Sequence, residues 1–168
     1  MLDLTVDEPV THDNLMLMYP NISGPDYTVS ITVHQMDLNT GVGLGVRCGL
    51  RYSDGSIDSY SAEITHTDVF GAPLWLFFLG KYFKFPGDVP TGSFEPIVIN
   101  ATTMPVGSLP QLFTYTVSGT SLVAEFNGVQ LSANDSTFTD GLISLGIIAK
   151  ADTGTVTVRA DDFQASIL

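Results

Sequence analysis

The sequence predicts an all-β fold, a two-sheet antiparallel β-sandwich of jelly-roll type, on three observations. Apolar and polar residues alternate with period two through most of the chain. Gly, Asn and Asp punctuate these stretches at short intervals, as turns between strands require. Every stretch long enough for a helix is broken by Pro, Gly or a β-branched run, while Ser and Thr are plentiful.

Each element follows from its own pattern. In Tyr27–Met36, Tyr27, Val29, Ile31 and Val33 point one way and Thr28, Ser30, Thr32 and His34 the other. In Val42–Arg51 the row Val42, Leu44, Val46, Cys48, Leu50 alternates with Gly43, Gly45, Arg47, Gly49, Arg51. In Asp58–Thr65, Tyr60, Ala62 and Ile64 oppose Ser59, Ser61, Glu63 and Thr65. Strands of this kind set one face on a core and leave the other polar.

Leu74-Trp75-Leu76-Phe77-Phe78-Leu79 departs from alternation, being apolar on both faces, and Lys81–Phe85 continues it after Gly80. With Leu74, Leu76 and Phe78 taken as the core face, Trp75 and Phe77 need another cover. With Tyr82 they are the candidate subunit interface, where aromatic side chains concentrate. Pro86–Leu112, rich in Pro and Gly, reads as long loops around one short strand at Pro96–Asn100. Alternation then resumes at Phe113, Tyr115 and Val117, and at Leu122, Ala124 and Phe126 after a Ser118-Gly119 turn. Asn127-Gly128 is a strong hairpin signal, because a type I′ turn needs positive φ at both central residues. Val129 and Leu131 follow it, then Ile143, Leu145 and Ile147, then Val156 and Val158, and finally Phe163, Ala165 and Ile167.

The 168 residues suit one domain, residues 1–168, and the 44% hydrophobic and 14% charged fractions rule against disorder. Mean hydropathy of +0.25 points to apolar surface covered by a partner. A net charge of −12, from 18 acidic and 6 basic residues, excludes nucleic acid and anionic membrane as main partners. It suits a solvated acidic surface or a Ca²⁺-bearing partner. Cys48, the single cysteine, allows no intrachain disulfide and reads as a small buried hydrophobe. Residues Met1–Glu8 do not read as a signal peptide, and no apolar run approaches the roughly 18 residues of a membrane span.

Phe113–Leu145 resembles the back half of a concanavalin A-like (lectin/glucanase, LamG-like) domain. The resemblance lies in Thr114-Tyr115-Thr116-Val117-Ser118-Gly119-Thr120-Ser121-Leu122, then Phe126-Asn127-Gly128-Val129, then the polar segment Asp135–Asp140 with Gly141 opening a strand. Asp161-Asp162-Phe163 resembles the final strand of such domains, and Gly43–Leu50 followed by Tyr60–Ile64 their central pair. The resemblance implies a sandwich of a kind found in lectins, carbohydrate-binding modules and virion surface or fibre components. Fold does not choose among these.

Glycoside hydrolysis needs two carboxyl groups on one face. In the glucanases these alternate along one strand, whereas here Glu63 and Glu125 each stand alone, so no catalytic residue is assigned. His12, His34 and His66 are widely spaced and suggest no triad. Asp135, Asp161 and Asp162 are candidate hard-oxygen ligands for Ca²⁺. Gly43, Gly45, Arg47, Gly49 and Arg51 form a low, basic row on which Arg47, Arg51 and Glu63 are candidate ligand-binding residues; the competing reading is a cross-strand ion pair between Arg47 and Glu63.

The expected function is therefore a non-catalytic binding or structural module, foremost a virion surface component such as a capsid decoration or tail/fibre protein. It would be made in a host cytoplasm and would work through contacts with other protein subunits, as a homo-oligomer or within a larger assembly. The alternative is an extracellular carbohydrate-binding, lectin-like module with glycans as partners; a third reading, ranked below both, is a glucanase-like glycoside hydrolase dependent on Glu63 or Glu125.

Overall fold

A computed structural model describes residues 2–6, 14–23, 26–36, 43–53, 56–69, 72–84, 93–102, 109–138, 140–148 and 156–168. Side chains are described over 26–35, 58–64, 76–83, 95–100, 109–138, 140–141, 143 and 158–168.

The strands are β1 (Leu2–Val6), β2 (Asn14–Ser23), β3 (Tyr27–Met36), β4 (Gly43–Ser53), β5 (Ser56–Val69) and β6 (Ala72–Lys84). They continue as β7 (Ser93–Thr102), β8 (Gln111–Ser118), β9 (Ser121–Phe126), β10 (Val129–Asn134), β11 (Leu142–Ile148) and β12 (Val156–Ile167). One sheet runs β1-β12-β3-β8-β9-β10 and the other β2-β11-β4-β5-β6-β7. All neighbours are antiparallel. Among the described residues there is no helix.

Local chemistry sets the hairpins. Asn127 and Gly128 carry φ of 50° and 74°, as the type I′ reading requires, and place Phe126 opposite Val129. Gly119, at φ 56°, turns β8 into β9.

The core lies between the sheets. Tyr27, Val29, Ile31 and Val33 of β3, Phe113, Tyr115 and Val117 of β8, and Leu122, Ala124 and Phe126 of β9 face inward from the first sheet. Tyr60, Ala62 and Ile64 of β5, with Phe77 and Leu79 of β6, face them from the second. The Phe77 and Phe113 rings meet across the gap at 6.0 Å and 70°, an edge-on packing that aromatic quadrupoles favour.

The structure amends three expectations. Strands β1 and β2 were not read from sequence, and β7 is longer than Pro96–Asn100. The faces of β6 are also exchanged. Phe77 and Leu79 oppose Ile64 and Ala62 in register, so the odd-numbered row is the inner one, and Leu76 and Phe78 face outward.

Candidate functional site

Strand β5 buries both of its faces. Tyr60, Ala62 and Ile64 lie in the core, but Ser59 and Ser61, on the opposite face, are also 0% exposed, and Glu63 is 8% exposed. Directly opposed residues of antiparallel strands share a face, so register extends the site sideways. Glu63 lies between Gly45 of β4 and Phe78 of β6, with Ile99 of β7 beyond. Ser61 lies between Arg47 and Gly80, with Pro96 beyond, and Ser59 is opposite Tyr82. Gly45 and Gly80 put no side chain beside Glu63 and Ser61, which lowers the floor there.

The polar groups of this floor are unevenly satisfied. The Ser61 hydroxyl donates to Glu63 Oε1 at 2.5 Å. The buried Ser59 Oγ has no hydrogen-bond partner. An orphaned buried hydroxyl costs about 1–3 kcal/mol. Buried Tyr82 stands opposite Ser59, and half-buried Phe78 and Leu76 with exposed Ile99 flank the Glu63 end of the row. The floor is therefore polar and its β6–β7 flank is apolar.

The structure separates residues that the sequence grouped. A register shift between Cys48 and Arg51 interrupts the alternation of β4. It leaves Arg47 opposite Ser61 but sets Arg51 opposite Asp58, on the other face of β5. Arg47 and Arg51 thus do not share one row. Glu63 has Gly45 as its direct β4 neighbour, so Arg47 is one diagonal step away. The side chains of Arg47, Arg51 and Trp75 lie outside the described residues. Phe77 is wholly buried in the core rather than on an interface row, and Tyr82 is on the face opposite to it.

The metal candidates are also apart. Asp135 follows β10 and Asp161 lies in β12, with β3, β8 and β9 between them, roughly 19 Å of sheet. Asp161 Oδ1 is 2.6 Å from His34 Nε2. Asp162 has φ 52° within an irregularity of β12. Asp135 Oδ1 accepts hydrogen bonds from Tyr60 Oη (2.8 Å) and Thr137 N (2.7 Å), and its Oδ2 is 3.4 Å from Lys81 Nζ. Among the described residues, no group of three or more His, Cys, Asp or Glu could hold a metal ion.

The Asp135 cluster is instead a fastening that sequence reasoning missed. Lys81 falls on the inner row of β6, and its Nζ reaches Asp135 and, at 3.3 Å, Glu95. Tyr60 Oη donates to Asp135 and accepts from Phe138 N at 3.0 Å, seating the Phe138 ring 4.9 Å from its own. Burial pushes the Asp135 carboxyl up, but Thr137, Tyr60 and the Lys81 charge outweigh it and hold the group at about 2. Burial, aided by Asp135, pushes the Tyr60 phenol up to about 12.

Solved structures share this fold. The carbohydrate-binding module CBM66 from Bacillus subtilis superposes with a TM-score of 0.65 at 14% identity, over 98% of this chain and 92% of that one. The κ-carrageenase of Pseudoalteromonas carrageenovora, in complex with an oligotetrasaccharide of κ-carrageenan, gives 0.59 at 9% identity over 89% and 66%. A legume lectin-like domain from Entamoeba histolytica gives 0.56 at 12% identity over 98% and 83%. The fold is concanavalin A-like. No protein-family model and no curated protein matches the sequence.

Within this concanavalin A-like sandwich, the outward row of β5 offers one carboxylate. Ser59 and Ser61 are the other outward residues of β5 whose side chains are described, and Gly45 and Phe78 stand beside Glu63. Glycosidases hold two carboxyl groups about 5–9.5 Å apart. The described residues of this face supply no such pair. What they offer is a buried polar floor, reached from outside at the edge of Glu63, and an apolar flank on β6.

Proposed function

We propose that the protein is a non-catalytic glycan-binding module whose binding face is the outward side of β4, β5 and β6. The observation that carries this reading is the buried polar row Ser59, Ser61 and Glu63, in which Ser59 lacks a partner. A fold under no other demand would fill such positions with apolar side chains, as it does one residue away at Tyr60, Ala62 and Ile64. Saccharides fit the mixture of neighbours: hydroxyl groups meet the accessible edge of Glu63, which wholly buried Ser61 and Ser59 back from beneath, and the C–H faces of the rings meet half-buried Phe78 and Leu76. Support also comes from the carbohydrate-binding module and the lectin-like domain that share the fold. The virion-surface role expected from the sequence draws no support from these neighbours and gives way to the alternative stated beside it.

A broad glycan array followed by titration calorimetry tests the reading. Saturable binding is expected, weakened about tenfold by Ser61→Ala with near-ultraviolet dichroism unchanged. An array with no hits for the folded protein would refute it.

A further inference from the structure

We infer that two copies of this chain pair antiparallel along β10, which continues the first sheet of one copy into the other. β10 ends that sheet, and among the described residues its one neighbour there is β9. The hairpin fixes which backbone groups β9 uses. A two-residue Asn127-Gly128 turn makes Phe126 and Val129 a hydrogen-bonded pair, and such pairs recur at every second residue. Leu131 and Ala133 therefore bond back to β9. So does Asp135, whose N–H donates to the Thr120 carbonyl at 2.8 Å. The N–H and C=O groups of Gln130, Ser132 and Asn134 point the other way, along the open edge.

The sheet edges differ in how they resist pairing. β7 carries Glu95, Pro96 and a register shift, β2 carries Pro20 and a register shift, and β1 is 5 residues long with Asp3 in it. Charge, proline, bulges and shortness are the devices that keep edges from joining. Val129–Asn134 has no charged residue and no proline, and its register with β9 is unbroken.

This edge is also complementary to itself. A two-fold axis at Ser132 sets Ser132 opposite Ser132 of the second copy, and Gln130 opposite Asn134 of the second copy. Each outward pair then exchanges both of its N–H···O bonds. On the exposed face amide meets amide and hydroxyl meets hydroxyl, while on the inner face Leu131 meets Ala133 and the apolar row runs on. Asp135 falls opposite Val129, with its carboxylate held by Tyr60 and Lys81. Antiparallel pairing keeps faces, so both second sheets lie on one side of the joined sheet. Their β5 faces then point the same way, and where those bind glycans, which rests on the reading above, the dimer meets a polymer surface through two sites.

Sedimentation velocity tests the pairing, and reads it whether or not any glycan binds. Between about 1 and 300 µM the 18.0 kDa chain should approach twice that mass. The net charge of −12 on each copy opposes association, so raising salt from about 20 to 500 mM should tighten it about threefold. Ser132→Pro removes the central outward N–H without touching the β9 ladder, and should weaken association about tenfold or more. If that variant does not fold, Ser132→Lys sets two cations against each other across the axis and should do the same. A chain that stays monomeric at every concentration and in both salts overturns the inference. So does a dimer that neither substitution weakens, since its interface would lie elsewhere.

Discussion

On the outward face of the first sheet, Thr28 and Ser30 of β3 stand half-buried beside Thr116 and Thr114 of β8, and the Thr28 and Thr116 hydroxyls are hydrogen-bonded at 3.0 Å. On the outward face of the second sheet, Ser59 and Ser61 of β5 are wholly buried, and Ser59 has no partner. Both faces carry small hydroxyl side chains at every second position. In the first, the hydroxyls keep partial exposure and Thr28 and Thr116 bond to each other, so they say little beyond which side is wet. In the second, water is excluded and one hydroxyl is left over. Polar side chains are informative where burial makes them costly.

The comparison presupposes that a common core lies beneath both faces, and its most forceful test is Phe77→Ala. Phe77 is 0% exposed and packs on Phe113 of the opposite sheet. Truncation should cost about 3–5 kcal/mol, read from the urea midpoint at constant slope. A loss under about 1 kcal/mol would return Phe77 to the surface row expected from sequence, and would exchange the inner and outer faces of β6.

A second test contrasts neighbours on β5: Tyr60, whose hydroxyl has two partners, and Ser59, whose hydroxyl has none. The Asp135 carboxyl that Tyr60 serves is lowered from 3.8 to about 2. A depressed acid contributes stability that is fully present above its unfolded value and is lost as pH falls through the folded one. Roughly 2 kcal/mol should therefore disappear between about pH 4 and pH 2. Asp135→Asn should flatten that part of the pH–stability curve. An unchanged slope would mean that Lys81, Tyr60 and Thr137 do not fasten the loop.

These features differ in how far sequence could disclose them. Alternation in Tyr27–Met36 and Asp58–Thr65 showed which side chains are internal, because one row is apolar and the other is not. Asn127-Gly128 showed its turn, because few pairs accept positive φ twice. Leu74–Leu79 withheld its faces: with both rows apolar, nothing local says which is inside, and pairing with β5 decides it. The interruption of β4 between Cys48 and Arg51 was equally hidden, since glycines at Gly43, Gly45 and Gly49 carry no side chain to mark a face. For the candidate site, Glu63 was legible as a lone carboxylate and Arg47 as its neighbour. Ser59 and Ser61 were not, because burial of a polar row depends on what covers it.

Ser59→Ala separates the faces by sign. It removes a buried hydroxyl without breaking a hydrogen bond, so stability should rise by about 1 kcal/mol. Glycan binding, measured on the same sample, should weaken. A loss of stability would mean that the hydroxyl is satisfied, and the case for the β5 face would lose its main support.

Thr116→Val is the matching change on the other sheet and the smallest effect expected. It replaces a hydroxyl by a methyl of similar volume, and the residue remains a good strand former. Only the bond to Thr28 is lost, and Thr28 is partly exposed, so water can replace the missing partner. Stability should fall by about 0.5 kcal/mol, with glycan binding unchanged. The pair of substitutions thus asks one question of two surfaces. If the first sheet, rather than the second, held the ligand, Thr116→Val would be the variant that lost binding and Ser59→Ala the one that kept it.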